Sequence, residues 1–259
     1  MTIEPVAAIP RTALVTGGAK RIGRAIVEAL AAQGFAVAIH CNQSRQEADD
    51  LARAIQGRGG RAAVVVGDLE RLDEVEALME AATAPVGPIG LLVNSASIFV
   101  DDVAQALTPE SLTRHLSINL AAPCLLVSAM VRRLPEGAHG LVVNMIDQRV
   151  LKPTPQFFSY SLSKAGLAWT TRTMAQAFAP RIRVVGLAPG PTVKSERQSD
   201  EDFRRQSEAV LLGRGPDLAD FGRTIRWLVE TPSVTGQIIA LDGGQHLAWE
   251  TADVVGVSE

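Results

Sequence analysis

The chain has 259 residues, 47% of them hydrophobic and 20% charged, a size and balance that suit one packed α/β domain and exclude a disordered chain. A formal net charge of −3, only 4% aromatic residues and no basic stripe argue against a nucleic-acid partner. The two cysteines, Cys41 and Cys124, form neither a metal-ligand spacing nor a disulfide framework, which points to a reducing compartment and no metal.

Residues 1–10 read as a tail without the basic start and apolar stretch of a signal peptide, so the cytoplasm is the expected location. A strand predicted over 12–16 runs into Thr16-Gly17-Gly18-Ala19-Lys20-Arg21-Ile22-Gly23. A helix follows, with Ile22, Ala25, Ile26, Ala29 and Leu30 on one face. Glycines at a strand-to-helix turn let backbone approach a pyrophosphate against the helix N-terminus. Gly17, Arg21, Ile22 and Gly23 are therefore candidates to hold one, although such turns also serve as plain caps. The second strand, 36–40, ends at His40-Cys41-Asn42-Gln43-Ser44-Arg45. An NAD site usually places Asp or Glu there to bond the ribose 2′-hydroxyl. With no acid present, and Lys20 and Arg21 nearby, the segment favours NADP, with His40, Ser44 and Arg21 at the 2′-phosphate.

A third strand over 62–66 precedes a helical face of Leu72, Val75, Leu78 and Met79. The fourth strand, 91–94, precedes a helix over 108–134, interrupted near Pro123; its longest apolar run, 121–131, is too short to span a bilayer. A fifth strand covers 141–146, and a helix from near Gln156 to Phe178 follows. After a sixth strand, 183–187, the polar stretch 191–200 reads either as a mobile flap or as an ordinary surface loop, with a short helix from Glu201. A seventh strand covers 237–241, and 250–259 forms a second tail. Most strand segments are continuously apolar, as expected of a parallel sheet covered on both faces. The fold class is α/β: one domain, 1–259, with a doubly wound, Rossmann-type, seven-stranded sheet.

Tyr160 is the only tyrosine, and Lys164 follows it by one helical turn. An ammonium there is expected to lower the phenol's pKa from about 10. A phenol so tuned can give a proton to a substrate atom as hydride arrives at the adjacent carbon. The alternative is a half-buried tyrosine beside a snorkelling lysine.

Together these features resemble the short-chain dehydrogenase/reductase family over nearly the whole chain. The resemblance implies that Asp68 and Leu69 contact adenine, and it matches Asn94-Ser95-Ala96 to the family's Asn-Asn-Ala-Gly segment, with Asn94 and Ala96 at the cofactor. It also matches Asn119 to a helix asparagine linked to a proton relay. Pro189-Gly190 closes the sixth strand, with the backbone of Thr192 at the nicotinamide amide, and Leu241-Asp242-Gly243-Gly244 matches the C-terminal signature. Relatives of this kind imply a homotetramer built through 108–134 and 157–178, with the C-terminal segment adding a contact.

Two positions depart from the general family pattern. Arg21 stands where a glycine is usual, and Asp147, thirteen residues before Tyr160, stands where the catalytic serine is usual. With Lys20, Ile22, Gly23, His40, Ser44, Ser97 and Phe99, these changes resemble the pteridine reductase branch. That resemblance implies that Asp147, Tyr160 and Lys164 are catalytic and that Arg21 lies by the cofactor phosphates and substrate. It places Ser97 in the substrate pocket and Phe99 on the pterin ring, opposite the nicotinamide; Phe157 is a weaker candidate for that pocket. Gln43 stands in place of the branch's arginine for the 2′-phosphate, where Arg45 could substitute, and Ser95 in place of a second asparagine. A pterin presents ring C=N bonds whose nitrogen must gain a proton. A buried aspartate, partly protonated near neutral pH, can relay one; the alternatives are a surface-loop aspartate and a plain core phenylalanine. The expected function is NADPH-dependent hydride transfer to a dihydropterin, biopterin or dihydrofolate. A carbonyl or 3-oxoacyl reductase is the enzymatic alternative, and a dinucleotide-binding sensor the non-enzymatic one.

Overall fold

Valine, leucine and isoleucine runs too apolar for an open surface build the centre of the computed structural model, which describes residues 9–195, 197–251 and 255. The expected tails, 1–10 and 250–259, lie mostly outside the described residues. Seven strands pair in parallel: β1 (Thr12–Val15), β2 (Ala36–Cys41), β3 (Arg61–Val66), β4 (Leu91–Asn94), β5 (Gly140–Met145), β6 (Ile182–Pro189) and β7 (Ile238–Leu241), in the order β3-β2-β1-β4-β5-β6-β7. The order reverses between β1 and β4, where Leu14 lies opposite Leu92. At such a reversal the loops leaving the two strands part and open a crevice.

Every residue of β1, β2, β4 and β5 is buried, which is why these segments do not alternate in polarity. Successive side chains instead point to opposite packed layers. Ala13 and Val15 face α1 (Arg21–Ala32), α2 (Arg45–Gln56) and α8 (Leu218–Glu230), through Ile26, Leu51 and Phe221 among others. Leu14 and Leu92 face α3 (Val75–Val86) and α5 (Ala122–Arg133), through Met79 and Leu126. Each fully buried side chain of this size is worth about 1.5–3 kcal/mol.

The long helix after β4 is irregular near Pro123, as expected. α4 (Pro109–Leu116) passes without a break through a π-helical turn, Ser117–Ala121, into α5. Pro123 follows that turn closely, and its missing N–H takes one bond out of the ladder of a continuing helix. Pro109–Arg133 is long and apolar enough to cross a membrane by length and composition, but half of its apolar window is buried inside the fold. The stretch after β6 is irregular to Ser199, whose side chain accepts from the backbone N–H of Asp202 and caps α7 (Asp200–Glu208). α6 (Phe158–Phe178) carries the tyrosine and lysine singled out above.

Candidate active site

Two loops meet at the topological switch. Thr16 Oγ1 accepts from the backbone N–H groups of Ser95 and Ala96, both at 3.0 Å, which draws the β4 loop against the glycine turn. Gly17 has φ +62°, and a Cβ there would lie 2.9 Å from Ala96 Cα; a Cβ at Gly23 would lie 2.2 Å from Gly17 O. Neither position tolerates a side chain, so the turn presents bare backbone at the start of α1. Arg21 adopts φ +53° without being glycine, a left-handed conformation that costs on the order of 1 kcal/mol. Its guanidinium donates to Val193 O at 2.9 Å and Lys194 O at 3.0 Å, latching the irregular stretch after β6.

The expected cationic cluster for a 2′-phosphate is corrected in part. His40 is buried, accepts from the Gly17 N–H at Nδ1 and donates from Nε2 to Gly67 O, each at 3.2 Å. Burial holds its pKa down at about 4, so the ring is neutral and both nitrogens serve the fold. Its role is to tie the glycine turn to the end of β3. Lys20 pairs with Glu47 at 2.7 Å, and Arg45 lies 3.6 Å from Asp49. Ser44 remains at the α2 N-terminus without a side-chain capping bond, beside unpaired helical N–H groups that suit an anion. Asp68 accepts from the Glu70 N–H at 3.0 Å, and Leu69 is buried beside it.

A cavity of about 870 Å³ runs from the glycine turn to α7. Gly17, Arg21, Ile22 and Gly23 line one end, Ala96, Ser97 and Phe99 the β4 side, and Asp147, Tyr160 and Lys164 the centre. Pro189, Gly190 and Thr192 contribute from the end of β6, whereas His40, Ser44, Asp68, Leu69 and Asn94 lie outside these walls. Asn94 is a buried strut, donating to Asn144 Oδ1 at 2.8 Å; Asn144 in turn donates to Thr171 at 2.9 Å. Asn119 lies in the π-helical turn, donates to Ile98 O and Ser163 Oγ, and accepts from the Ile98 N–H and the Ser97 hydroxyl. With donors and acceptors all engaged, its side chain braces the β4 loop against α6. That bond also turns the Ser97 hydroxyl toward Asn119.

Tyr160 is 7% exposed and Lys164 2%. The phenol donates to Asp147 Oδ2 at 2.8 Å, while the Lys164 ammonium donates to Met145 O at 2.8 Å and lies 5.7 Å from the tyrosine ring centroid. The expectation of an acidified phenol is therefore reversed. Burial, the charge of Asp147 and the hydrogen bond to it push the Tyr160 pKa well above its ordinary value, with Arg149 opposing. Burial pulls Lys164 down to about 8, against the attraction of Asp147. Nor does Asp147 sit in a purely apolar setting: it also accepts from the Arg149 backbone N–H at 2.8 Å, with the guanidinium 3.3 Å away.

Phe99 is not plain core. It stacks on Phe157 with centroids 4.1 Å apart and planes 18° from parallel, and meets Tyr160 edge-on at 4.7 Å. Phe157 also has φ +53°, strain that turns its ring into the cavity ahead of α6. The chain reading overlooked Arg149 and the α7 side chains Phe203 and Gln206, which line the same cavity. Arg149 was within reach of it, standing two residues after Asp147; the α7 residues carried no spacing signal.

Comparison with known proteins agrees with this fold. The family model for short chain dehydrogenase matches residues 11–204. A solved structure of FolM alternative dihydrofolate reductase 1 from Brucella canis, complexed with NADP, superposes with a TM-score of 0.94 at 54% identity, covering 97% of this chain and 100% of that one. A 3beta-hydroxysteroid dehydrogenase 1 from Eggerthella lenta is 30% identical, over 92% of this chain and 94% of its own. A 3-oxoacyl-[acyl-carrier-protein] reductase from Synechocystis sp. is 30% identical, over 90% and 96%.

Proposed function

The chain belongs to the short-chain dehydrogenase family, and from that premise we propose that it is an NADPH-dependent reductase of pterin-type rings, a dihydropterin or dihydrofolate. The observation that carries this reading is the pairing of Tyr160 with a carboxylate rather than a serine hydroxyl, 2.8 Å away, beside the Phe99–Phe157 stack. The likeness to an NADP-bound alternative dihydrofolate reductase supports it independently.

The residues present fit the cofactor. Gly17 and Gly23 form a cradle that a Cβ would fill. NADPH, when bound, supplies a hydride. Gly17, Ile22 and Gly23 offer backbone to its pyrophosphate, and Arg21 a guanidinium. Ser44 and the α2 N-terminus would hold the 2′-phosphate, and Asp68, Leu69 and Ala96 the adenosine end. Lys164 would hold the nicotinamide ribose, and Pro189, Gly190 and Thr192 the amide. A ring placed against Phe99, near Arg21 and Ser97, takes hydride on carbon while its nitrogen gains the Tyr160 proton. The phenolate left behind is restored through Asp147. A high phenol pKa makes an early proton loss unfavourable, so the proton leaves only as negative charge develops on the ring nitrogen.

A carbonyl or 3-oxoacyl reductase is favoured by one observation, the likeness to a 3-oxoacyl reductase. Asp147, however, holds its oxygens on the phenol and on the Arg149 N–H, and puts no hydroxyl where a serine would offer one to a carbonyl oxygen. A non-catalytic dinucleotide sensor would have no use for the buried tyrosine–lysine pair. We place the protein in the cytoplasm, without nucleic-acid or membrane partners, as a homotetramer.

The test mixes the purified protein with NADPH and dihydrobiopterin and follows absorbance loss at the cofactor's wavelength. Turnover is expected, falling at least tenfold in Asp147→Ser. Brisk reduction of a ketone or 3-oxoacyl thioester with none of the pterin, or a gain of activity in Asp147→Ser, would overturn the reading.

A further inference from the structure

Arg149 stands beside the acid pair without a part in the chemistry above. Its backbone N–H donates to Asp147 Oδ1 at 2.8 Å, and its Nη1 lies 3.3 Å from both carboxylate oxygens. Oδ2, one of those oxygens, is the atom that accepts from Tyr160. The two side chains are only 20% and 14% exposed, so their attraction is screened far less than that of a surface pair. From the other side the guanidinium carbon lies 5.4 Å from the ring centroids of both Phe99 and Phe157.

Those rings are themselves fixed. Asp102 O accepts from the Phe158 N–H at 3.1 Å, and the Asp102 carboxylate accepts from the Ser159 N–H at 2.9 Å. Val103 pairs with Gln156 in an isolated antiparallel bridge. The loop carrying Phe99 is thereby bound to the turn carrying Phe157, and the guanidinium is held between that aromatic pair and the carboxylate. The ionisable groups facing Asp147 are Tyr160 and Lys164 from α6 and Arg149 from its own loop.

We propose that Arg149 is a positioning residue for the Asp147–Tyr160 pair: held against the two rings, it fixes the carboxylate in place against the phenol. The proposal rests on Asp147 sharing in the proton transfer, and not on which ring is reduced. Without the guanidinium, the carboxylate keeps the backbone N–H of residue 149 but loses the contact that reaches both of its oxygens, and is free to turn away from the phenol.

The experiment compares kcat and KM of the unaltered enzyme, Arg149→Met, Arg149→Lys and Asp147→Asn, with dihydrobiopterin and with an acetoacetyl thioester. Asp147→Asn should lower kcat about tenfold or more, and Arg149→Met should lower it severalfold while leaving the KM for NADPH unchanged. Arg149→Lys should recover part of that kcat, because an ammonium restores the charge, but not all of it, because it does not stack on the two rings as a guanidinium does. A kcat unmoved in Arg149→Met overturns the proposal. If that variant fails to fold, an unchanged kcat in Arg149→Lys overturns it instead. Turnover of the thioester alone would remove the pterin reading and leave this one testable.

Should neither substrate react, the sole tyrosine still reports. With 13C-labelled tyrosine, the resonance of its hydroxyl-bearing ring carbon should shift in Arg149→Met in the same direction as in Asp147→Asn, because both weaken the bond from the phenol to the carboxylate; an unmoved resonance overturns the proposal.

Discussion

At the end of β2, His40 has been taken out of water and given two partners that admit only one tautomer, with Nδ1 accepting from Gly17 and Nε2 donating to Gly67. Protonation would turn that acceptor into a donor facing a donor. The imidazole therefore resists charging until about pH 4, against 6.5 in an exposed chain. Between those values the unfolded chain binds a proton that the folded one refuses. The stabilisation is full above 6.5 and is lost as pH falls toward 4, by about 2 kcal/mol at pH 5. Denaturant unfolding at pH 7 and pH 5 should show that loss in the unaltered protein and less of it in His40→Asn; equal slopes would remove this assignment. Sequence position put His40 near the glycine turn, but its two partners and its burial, which decide that the ring serves the fold, are set by packing. Lys164 is similar: one helical turn places it on the face of Tyr160, while its ammonium goes to Met145 O. Asp147, thirteen residues before Tyr160, was legible through the resemblance to the pteridine reductase branch, and the fold shows its contact with the phenol.

Strand segments were the most legible elements, since each is a run of apolar side chains needed on both faces of a sheet; all seven appear within a few residues of their expected ends. Boundaries set by backbone alone were less legible. The interruption near Pro123 was legible from the proline, but that it takes the form of a π-helical turn, Ser117–Ala121, was not, because such a turn has no residue pattern of its own. Among the described residues, the non-glycine positions with positive φ are Arg21 and Phe157, and both face the cavity. Strain of this kind persists where side-chain placement repays it. At Arg21 the repayment is the latch onto Val193 O and Lys194 O, which a glycine would forgo. Arg21→Gly should relieve about 1 kcal/mol of backbone strain, leaving Tm unchanged or slightly raised. The same substitution should speed amide exchange in the stretch after β6 and weaken NADPH binding. A lowered Tm with exchange unaltered in that stretch would show that the latch does not exist.

For the molecule as a whole, apolar side chains remain uncovered on one side that the active site does not need. Leu125 on α5 and Leu162 and Trp169 on α6 are exposed, Trp169 by 68%. A second group, Leu211, Leu212, Leu247 and Trp249, is exposed near the C-terminal end, where part of the expected contact segment lies outside the described residues. Apolar residues of this size, grouped on helix faces, are the usual mark of surfaces that bury one another in symmetric assemblies. Two separate surfaces that each met its own copy would generate a closed tetramer with two kinds of contact, the assembly proposed above. Light scattering on the purified protein should then give four times the 27.5 kDa of one chain. Trp169→Glu places a charge in the α5–α6 contact and should halve that mass while the second contact holds. Because α6 also carries Tyr160 and Lys164, loss of this contact should loosen the helix and lower kcat severalfold, with far-UV circular dichroism unchanged. A single-chain mass for the unaltered protein would sink the assembly. An unaltered mass in Trp169→Glu would move the contact off these helices.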